Sequence, residues 1–132
     1  MNKTLKSIIF ILIFVLFILS QLAAQKKLST RSGKAKRHFK NAQVHIGYAN
    51  YDMAERELKQ AIEHDKKFIE AYLLLSDIYL DLNIPEETLE LYQKAIEINP
   101  EFDPMVYYFY AKAALKTGKY TLAKDQLKEF ET

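Results

Sequence analysis

The sequence predicts an all-α protein: a right-handed superhelical array of three helix pairs that follows an N-terminal export segment. Two observations carry this prediction. The 132 residues include only three Gly and three Pro, too few for an all-β fold, which needs many tight turns. A helical segment also recurs at intervals of 34 and 35 residues, and a period of that size is typical of stacked repeats.

The repeat is clearest in the second helix of each pair. The segment "YDMAERELKQAIEHD" from Tyr51 aligns with "PEETLELYQKAIEIN" from Pro85 at a shift of 34 residues. A third copy, "YTLAKDQLKEF" from Tyr120, aligns with the second at a shift of 35. Another helical segment precedes each copy, so each unit is a pair of helices. The predicted helices span about 33–47 and 51–64, 69–81 and 85–97, and 104–116 and 120–131.

The breaks between these helices have suitable residues. Asn83 and Gly118 stand where a helix ends in a left-handed residue. Asp103 is a good N-cap before Pro104, and Pro100 stops the preceding helix. The first pair is the least clear, because Gly47 and Asn50 share its turn. The array is expected over residues 35–132, with repeats of about 35–68, 69–102 and 103–132.

Residues 1–24 have the three parts of a secretory signal peptide. Lys3 and Lys6 precede the uninterrupted apolar run of residues 8–19, and small residues end the segment. The run is short for a bilayer span, which needs about 20 residues. Cleavage after Ala24 is expected, and it would leave residues 25–34 as a basic lead-in.

The charges that follow favour an alternative. Residues 26–40 contain seven basic residues and no acid, and such a cluster resists translocation. Residues 8–24 could therefore stay in a membrane as an anchor. We expect an exported protein of the periplasm or outer membrane, with inner-membrane anchoring as the alternative.

Composition argues against several classes of function. Loss of residues 1–24 leaves 17 basic and 17 acidic residues, so no nucleic-acid partner is expected. The absence of Cys excludes disulfides and thiolate metal sites. No Gly-rich phosphate loop and no nucleophile–base set is found, so we expect no enzyme, no catalytic residues and no cofactor. His38, His45 and His64 are the only histidines. His38 and His45 share one helical face at core positions, and they are interpreted as packed, hydrogen-bonded residues rather than metal ligands.

The 34-residue helical unit resembles the tetratricopeptide repeat. The second unit is the best match to its W-x₂-L-G-x₂-Y pattern, and Pro100 closes it. The third unit matches at several positions, whereas His38, Asn41 and His45 weaken the first. The matching residues of the second unit are Tyr72, Leu75, Ser76, Tyr79, Tyr92 and Ala95, and those of the third are Tyr107, Tyr110, Ala111, Ala114, Gly118, Tyr120 and Ala123.

The resemblance implies that the first helix of each pair lines a concave groove. In "VYYFYAKAAL", the core stripe is then Tyr107, Tyr110, Ala111 and Ala114. A protein or peptide partner would bind the groove, or another element would cover it. The predicted groove residues are Phe39, Lys40, Gln43, Ile46, Leu73, Leu74, Asp77, Leu80, Tyr108, Phe109, Lys112 and Leu115.

Some members of the family grip a terminal carboxylate with Lys and Asn. That clamp is not expected here, because its positions hold other residues. They are Phe39, Gln43, Leu74, Met105 and Phe109.

The "AQKK" start followed by such repeats also resembles the N-terminal part of larger exported bacterial proteins. Those continue into a β-propeller and a peptidoglycan-binding domain like that of outer-membrane protein A, and they serve as periplasmic scaffolds. The resemblance implies a non-catalytic interaction scaffold of the cell envelope. The alternatives are a membrane-anchored assembly factor, or an accessory subunit of an enzyme or secretion complex on other chains.

The last helix of the array presents apolar residues close to the end of the sequence. Leu122, Leu127 and Phe130 precede Thr132, and repeat arrays normally end on a polar face. We expect a partner chain, self-association or a downstream segment to cover this end.

We predict that the exported protein begins at Gln25. The basic start, short apolar run and Ala23-Ala24 exit direct cleavage there. N-terminal sequencing of the envelope fraction would check this prediction. Intact Met1 in the membrane pellet would instead establish the anchored form.

Overall fold

The computed structural model describes residues 8–16 and 27–131, and every regular element in those residues is an α-helix. Helix α1 covers residues 8–16. The other helices are α2 (Gly33–Gly47), α3 (Tyr51–His64), α4 (Ile69–Asp81), α5 (Pro85–Ile98), α6 (Met105–Lys116) and α7 (Tyr120–Glu131). The predicted cleavage site lies outside the described residues. Within the part of the chain that is described, no helix is both long and apolar enough to span a bilayer.

Helices α2 to α7 form the three predicted pairs, with bounds within one residue of those expected from sequence. The two helices of each pair pack on each other, and α3 and α5 also pack on the first helix of the next pair. The fold is therefore a linear array in which each unit contacts its neighbours, and the predicted fold class is confirmed.

Small residues allow close approach at the helix crossings. Ala42, Ala54 and Ala61 are fully buried in the first unit, and Ala113 and Ala114 are fully buried in the third. Larger apolar side chains fill the space between units, where complete burial of one such side chain contributes roughly 1.5–3 kcal/mol. Leu58 and its counterpart Tyr92 are examples, with 0% and 1% of their surface exposed.

The turn within each pair uses one left-handed residue. Asn83 (φ 57°) and Gly118 (φ 71°) adopt the predicted conformation. In the first pair, however, Ala49 takes this conformation with φ 54°. Gly47 remains helical, while the Asn50 side chain accepts a hydrogen bond from the Met53 amide at 3.3 Å. The sequence analysis expected Gly47 and Asn50 to share this turn and did not predict that Ala49 takes the strained left-handed conformation.

The basic lead-in is attached to the array. The Ser29 amide donates to Glu70 Oε1 at 2.9 Å, and Ser29 Oγ accepts from the Ile69 amide at the start of α4 at 3.2 Å. Thr30 is buried, and its hydroxyl donates to the Asp65 carboxylate. Leu28 packs against the core of the first two units. Residues 28–30, the docked segment, thus join the N-terminal side of the array to its second unit.

Of the histidines of the first unit, His38 is packed and hydrogen-bonded as predicted, whereas His64 is exposed. His38 Nδ1 lies 2.8 Å from Glu57 Oε2, and its ring stacks on His64 with centroids 5.3 Å apart. His45 is half-buried. The described residues contain no group of three or more His, Cys, Asp or Glu that could hold a metal ion.

The C-terminal face of the array is less covered than the earlier junctions. Leu127 stands at the position of Leu58 and Tyr92, yet 37% of it is exposed. The earlier residues are covered by the unit that follows theirs. The apolar end expected from sequence is present in the structure, and what covers it stays a prediction.

We predict that Ala49→Gly stabilises the protein by about 0.5–1 kcal/mol, because glycine removes the left-handed strain of a β-carbon. Thermal or urea unfolding would measure the gain. Gly118→Ala is the matched control. A β-carbon there meets no atom within 4 Å, so its cost should be backbone strain alone. A loss of stability in Ala49→Gly would contradict the prediction.

A candidate peptide-binding groove

The groove face is built by equivalent positions of α2, α4 and α6. The repeat places Gln43, Asp77 and Lys112 in one row. These three side chains are exposed, as is Lys40 in the neighbouring row. Ile46, Leu73, Leu74, Leu80 and Phe109 are half-buried. The face therefore combines half-buried apolar groups with a few separated charges.

Phe39 is a correction to the predicted groove. Only 6% of its surface is exposed, and its ring lies 4.9 Å from that of Phe68, between centroids. Phe68 directly precedes α4, so the second unit covers this position. Phe39 therefore belongs to the core between units, and a ligand cannot reach it.

Tyr108 occupies the position equivalent to Phe39 in the third unit. It is 41% exposed, and its ring lies 5.4 Å from Phe109 and 5.8 Å from Phe130. No helix pair follows it within the described residues. Its exposure thus reflects the end of the array as well as the groove. Leu115 shares this end and is 51% exposed.

The rest of "VYYFY" divides between core and surface. Tyr110 and Val106 are buried, and Tyr110 packs on Tyr92 with centroids 6.2 Å apart. Tyr107 is only half-buried, and its hydroxyl donates to the Pro100 carbonyl at 3.1 Å. The predicted core stripe is therefore correct for Tyr110, Ala111 and Ala114, which are buried. Tyr107 instead contacts the turn that precedes α6 through its hydrogen bond to Pro100.

A small cleft of about 110 Å³ opens between α4 and α6 over α5. Three predicted groove residues reach it: Leu73, Asp77 and Phe109. Sequence reasoning did not assign its other lining residues to the groove, since two are core positions and two surround the start of α6. They are Tyr92, Asp103, Met105 and Val106.

Asp77 is one of the two carboxylates that line this cleft, and Asp103 is the other. Burial raises its pKa above the ordinary value of 3.8, and the charge of Asp81 raises it further. The Tyr92 hydroxyl acts in the opposite direction, but the pKa remains raised. No ion pair in the described residues includes Asp77. Asp77 remains exposed to solvent, so its carboxylate lies at the edge of a partly apolar cleft and has no ion-pair partner among the described residues.

Tyr92 is the floor of the same cleft. Its side chain is 1% exposed, and its hydroxyl is buried without a hydrogen-bond partner among the described residues. Burial raises the pKa of Tyr92, and the neighbouring Asp77 charge adds to this shift. A buried donor that lacks a partner costs free energy. The sequence alone could have indicated this buried hydroxyl, because Tyr92 stands at the core position that the apolar Leu58 occupies in the first unit.

A larger cleft of about 510 Å³ lies on the opposite, convex side, between α3, α4 and α5. Ile62, Leu75 and Leu91 form its apolar part, and charged side chains including Lys59 and Glu87 surround them. The sequence analysis did not predict it. The Tyr79 hydroxyl, which also lines it, donates to Glu55 Oε1 at 2.8 Å.

The second unit carries a recognisable family signature. Residues 69–102 match the family model described as tetratricopeptide repeat, the same range as the second predicted unit. No curated protein sequence matches the chain.

Solved structures share the fold of the whole array. MamA from Desulfovibrio magneticus RS-1 is similar with a TM-score of 0.69 and 22% identity over 76% of this chain. The chain spans 56% of that protein and 52% of another MamA chain. The second tetratricopeptide domain of Spaghetti (RPAP3), bound to the HSP90 peptide SRMEEVD, is similar with a TM-score of 0.68 and 16% identity. The match covers 74% of this chain and 90% of that one.

The third similar structure is the complex of the TPR2B domain of yeast Sti1 with an Hsp70 peptide. Its TM-score is 0.68, with 20% identity over 75% of this chain and 78% of that one. Together with the family match, these likenesses define the class of fold: a tetratricopeptide-type array of three helix pairs. The expected continuation into a propeller and a peptidoglycan-binding domain is not supported by them.

We predict that Asp77→Asn stabilises the folded protein at pH 7. The pKa of Asp77 is higher in the folded state than in the unfolded state, where it is near 3.8. The free energy of unfolding therefore falls as pH rises from 3.8 through the folded-state pKa. Asparagine removes this loss, so the gain should be present at pH 7 and vanish near pH 3. Unfolding followed by circular dichroism at both values would measure it.

Asp81→Asn is the matched control for this measurement. It removes the same charge one turn later on α4, from an exposed residue that does not line the cleft. Its gain should be smaller. A variant Asp77→Asn that is less stable than wild type at pH 7 would refute the prediction.

Proposed function

We propose that the protein is a non-catalytic interaction scaffold of the bacterial cell envelope that binds a peptide or helix in the groove of α2, α4 and α6. One observation carries the proposal. The rigid array presents half-buried apolar side chains beside an uncompensated carboxylate on a single face. Apolar anchors that flank a few placed polar groups suit the recognition of a peptide or amphipathic helix.

Two similar structures support the peptide part of the proposal. The Spaghetti structure is a complex with an HSP90 peptide, and the Sti1 structure is a complex with pHsp70. At this identity they show that such a fold can display a peptide site, while the residues of this chain determine its chemistry.

That chemistry differs from the carboxylate clamp. Only Gln43 among the clamp positions carries a polar side chain, and Phe39 is buried in the core. A terminal carboxylate is therefore not gripped by the clamp. Asp77 is the one acidic groove residue, beside the exposed Lys40 and Lys112, and it favours a positive group of the ligand at its own position.

The envelope location is proposed from the N-terminal residues. The basic start, the apolar run and the small residues before Gln25 favour export. The membrane-anchored assembly factor uses the same groove with residues 8–24 retained. The accessory subunit of an enzyme or secretion complex differs only in the identity of the partner.

The groove is tested by peptide selection. The immobilised full-length chain is used to select from a displayed library of random peptides, and affinities of the selected peptides are measured by fluorescence anisotropy. The double variant Tyr108→Ala with Phe109→Ala should weaken binding by about 30-fold or more, because aromatic anchors contribute about 2 kcal/mol or more.

Two controls separate binding from folding. Tyr110→Ala should cost roughly 3 kcal/mol of folding stability, whereas the double variant should retain its helicity and melt closer to wild type. Glu90→Lys changes the convex cleft and should leave affinity within about twofold, as expected for a residue outside the interface. Selected peptides that respond to Glu90→Lys and not to the double variant would place the site on the convex side and refute the groove.

A further inference from the structure

We propose that the cleft between α4 and α6 is a specificity pocket for one basic side chain, a lysine or arginine, of the peptide that occupies the groove. This inference rests on the proposed function, because it names the chemistry of one position of that ligand. Asp77, Tyr92 and Phe109 line the pocket together with Asp103.

The first argument is the carboxylate without a partner. Asp77 faces an apolar cleft, and no cation of the described residues pairs with it. Because Asp77 is exposed where it lines the cleft, its carboxylate is accessible, and a cation brought by a ligand forms a charge-assisted hydrogen bond with it. Desolvation beside this apolar lining raises the pKa of Asp77.

The second argument is the unpartnered hydroxyl. The Tyr92 hydroxyl is buried without a well-aligned hydrogen bond among the described residues, although the Asp77 carboxylate lies close enough for the hydroxyl to lower its pKa. Tyr92 can donate its proton to the Asp77 carboxylate once that group adjusts. The second carboxylate oxygen then remains for the ligand. A charge-assisted hydrogen bond from an ammonium or guanidinium to that oxygen is stronger than one between neutral groups.

The third argument is the shape and lining. The cleft of about 110 Å³ is much smaller than the convex cleft of about 510 Å³, so it suits one slender side chain. Leu73 and Val106 offer apolar surface to the methylene stem of a lysine or arginine. Phe109 adds an aromatic ring to this lining, and aromatic rings attract cations placed over their faces.

The surrounding charges agree with this ligand. Asp81 lies one turn beyond Asp77, and Asp103 lines the mouth with one oxygen accepting from the Met105 amide at 3.0 Å. Lys112 follows Phe109 by about one turn of α6, and none of the ion pairs found in the described residues joins it to Asp77. The pocket therefore favours a cation and disfavours an acidic side chain.

Selection from a random displayed peptide library tests the pocket, with the immobilised full-length chain as bait. Wild type should enrich lysine or arginine at one fixed position of the selected peptides. Replacing that residue by norleucine in a synthetic peptide should weaken binding at least about tenfold, the effect expected for a lost charge-assisted hydrogen bond. Asp77→Asn should lose both the enrichment and the affinity difference.

Asp81→Asn is the matched control, since it removes one charge from the same helix outside the cleft, and it should keep the preference. Tyr92→Phe should reduce the discrimination between lysine and norleucine without abolishing binding. Peptides that bind the groove without a basic residue, or whose lysine preference survives Asp77→Asn, would overturn the pocket and leave the groove intact. Failure to select any groove-dependent peptide would refute the proposed function itself.

Discussion

The contact between successive helix pairs is the interaction on which the rest of the structure depends. A single pair of short helices buries too little apolar surface to be stable alone, so each pair must pack on its neighbour. Leu58 and Tyr92 show this contact directly, since both are almost completely buried. Ala residues at the crossings keep the helices close, and the spacing of the groove rows follows from that fixed approach.

The same contact explains both the strong and the weak parts of the candidate site. Phe39 does not contribute to the groove, because the next unit covers it. Tyr108 is exposed, because no unit follows it within the described residues. Tyr92 carries the packing role of Leu58 but adds a hydroxyl, which lies buried beside Asp77. The hydroxyl that Tyr92 contributes to the cleft is thus carried by a core residue, and the packing of the core fixes its position.

Periodicity predicts most of this fold and a smaller part of the site. The 34-residue spacing and the residues at the breaks predict the helices, because each unit repeats the same apolar positions and the same kind of helix-ending residues. Phe39 could not be assigned correctly in this way, since its burial depends on Phe68 in the following unit. Ala49 was missed because alanine carries no signal for a left-handed turn. The Asp77–Tyr92 pair joins two helices, and no pattern within one helix reveals it.

The docked segment has a mechanical consequence. Leu28, Ser29 and Thr30 are held against the array by packing and by hydrogen bonds to the start of α4 and to Asp65. The chain between Ala24 and Leu28 can therefore reach no further than about 14 Å, at roughly 3.5 Å per residue. If residues 8–24 remain in a bilayer, the helices stand almost directly on its surface, and their rotation about that short tether is restricted. Capture of a partner there would occur within one protein diameter of the lipid headgroups.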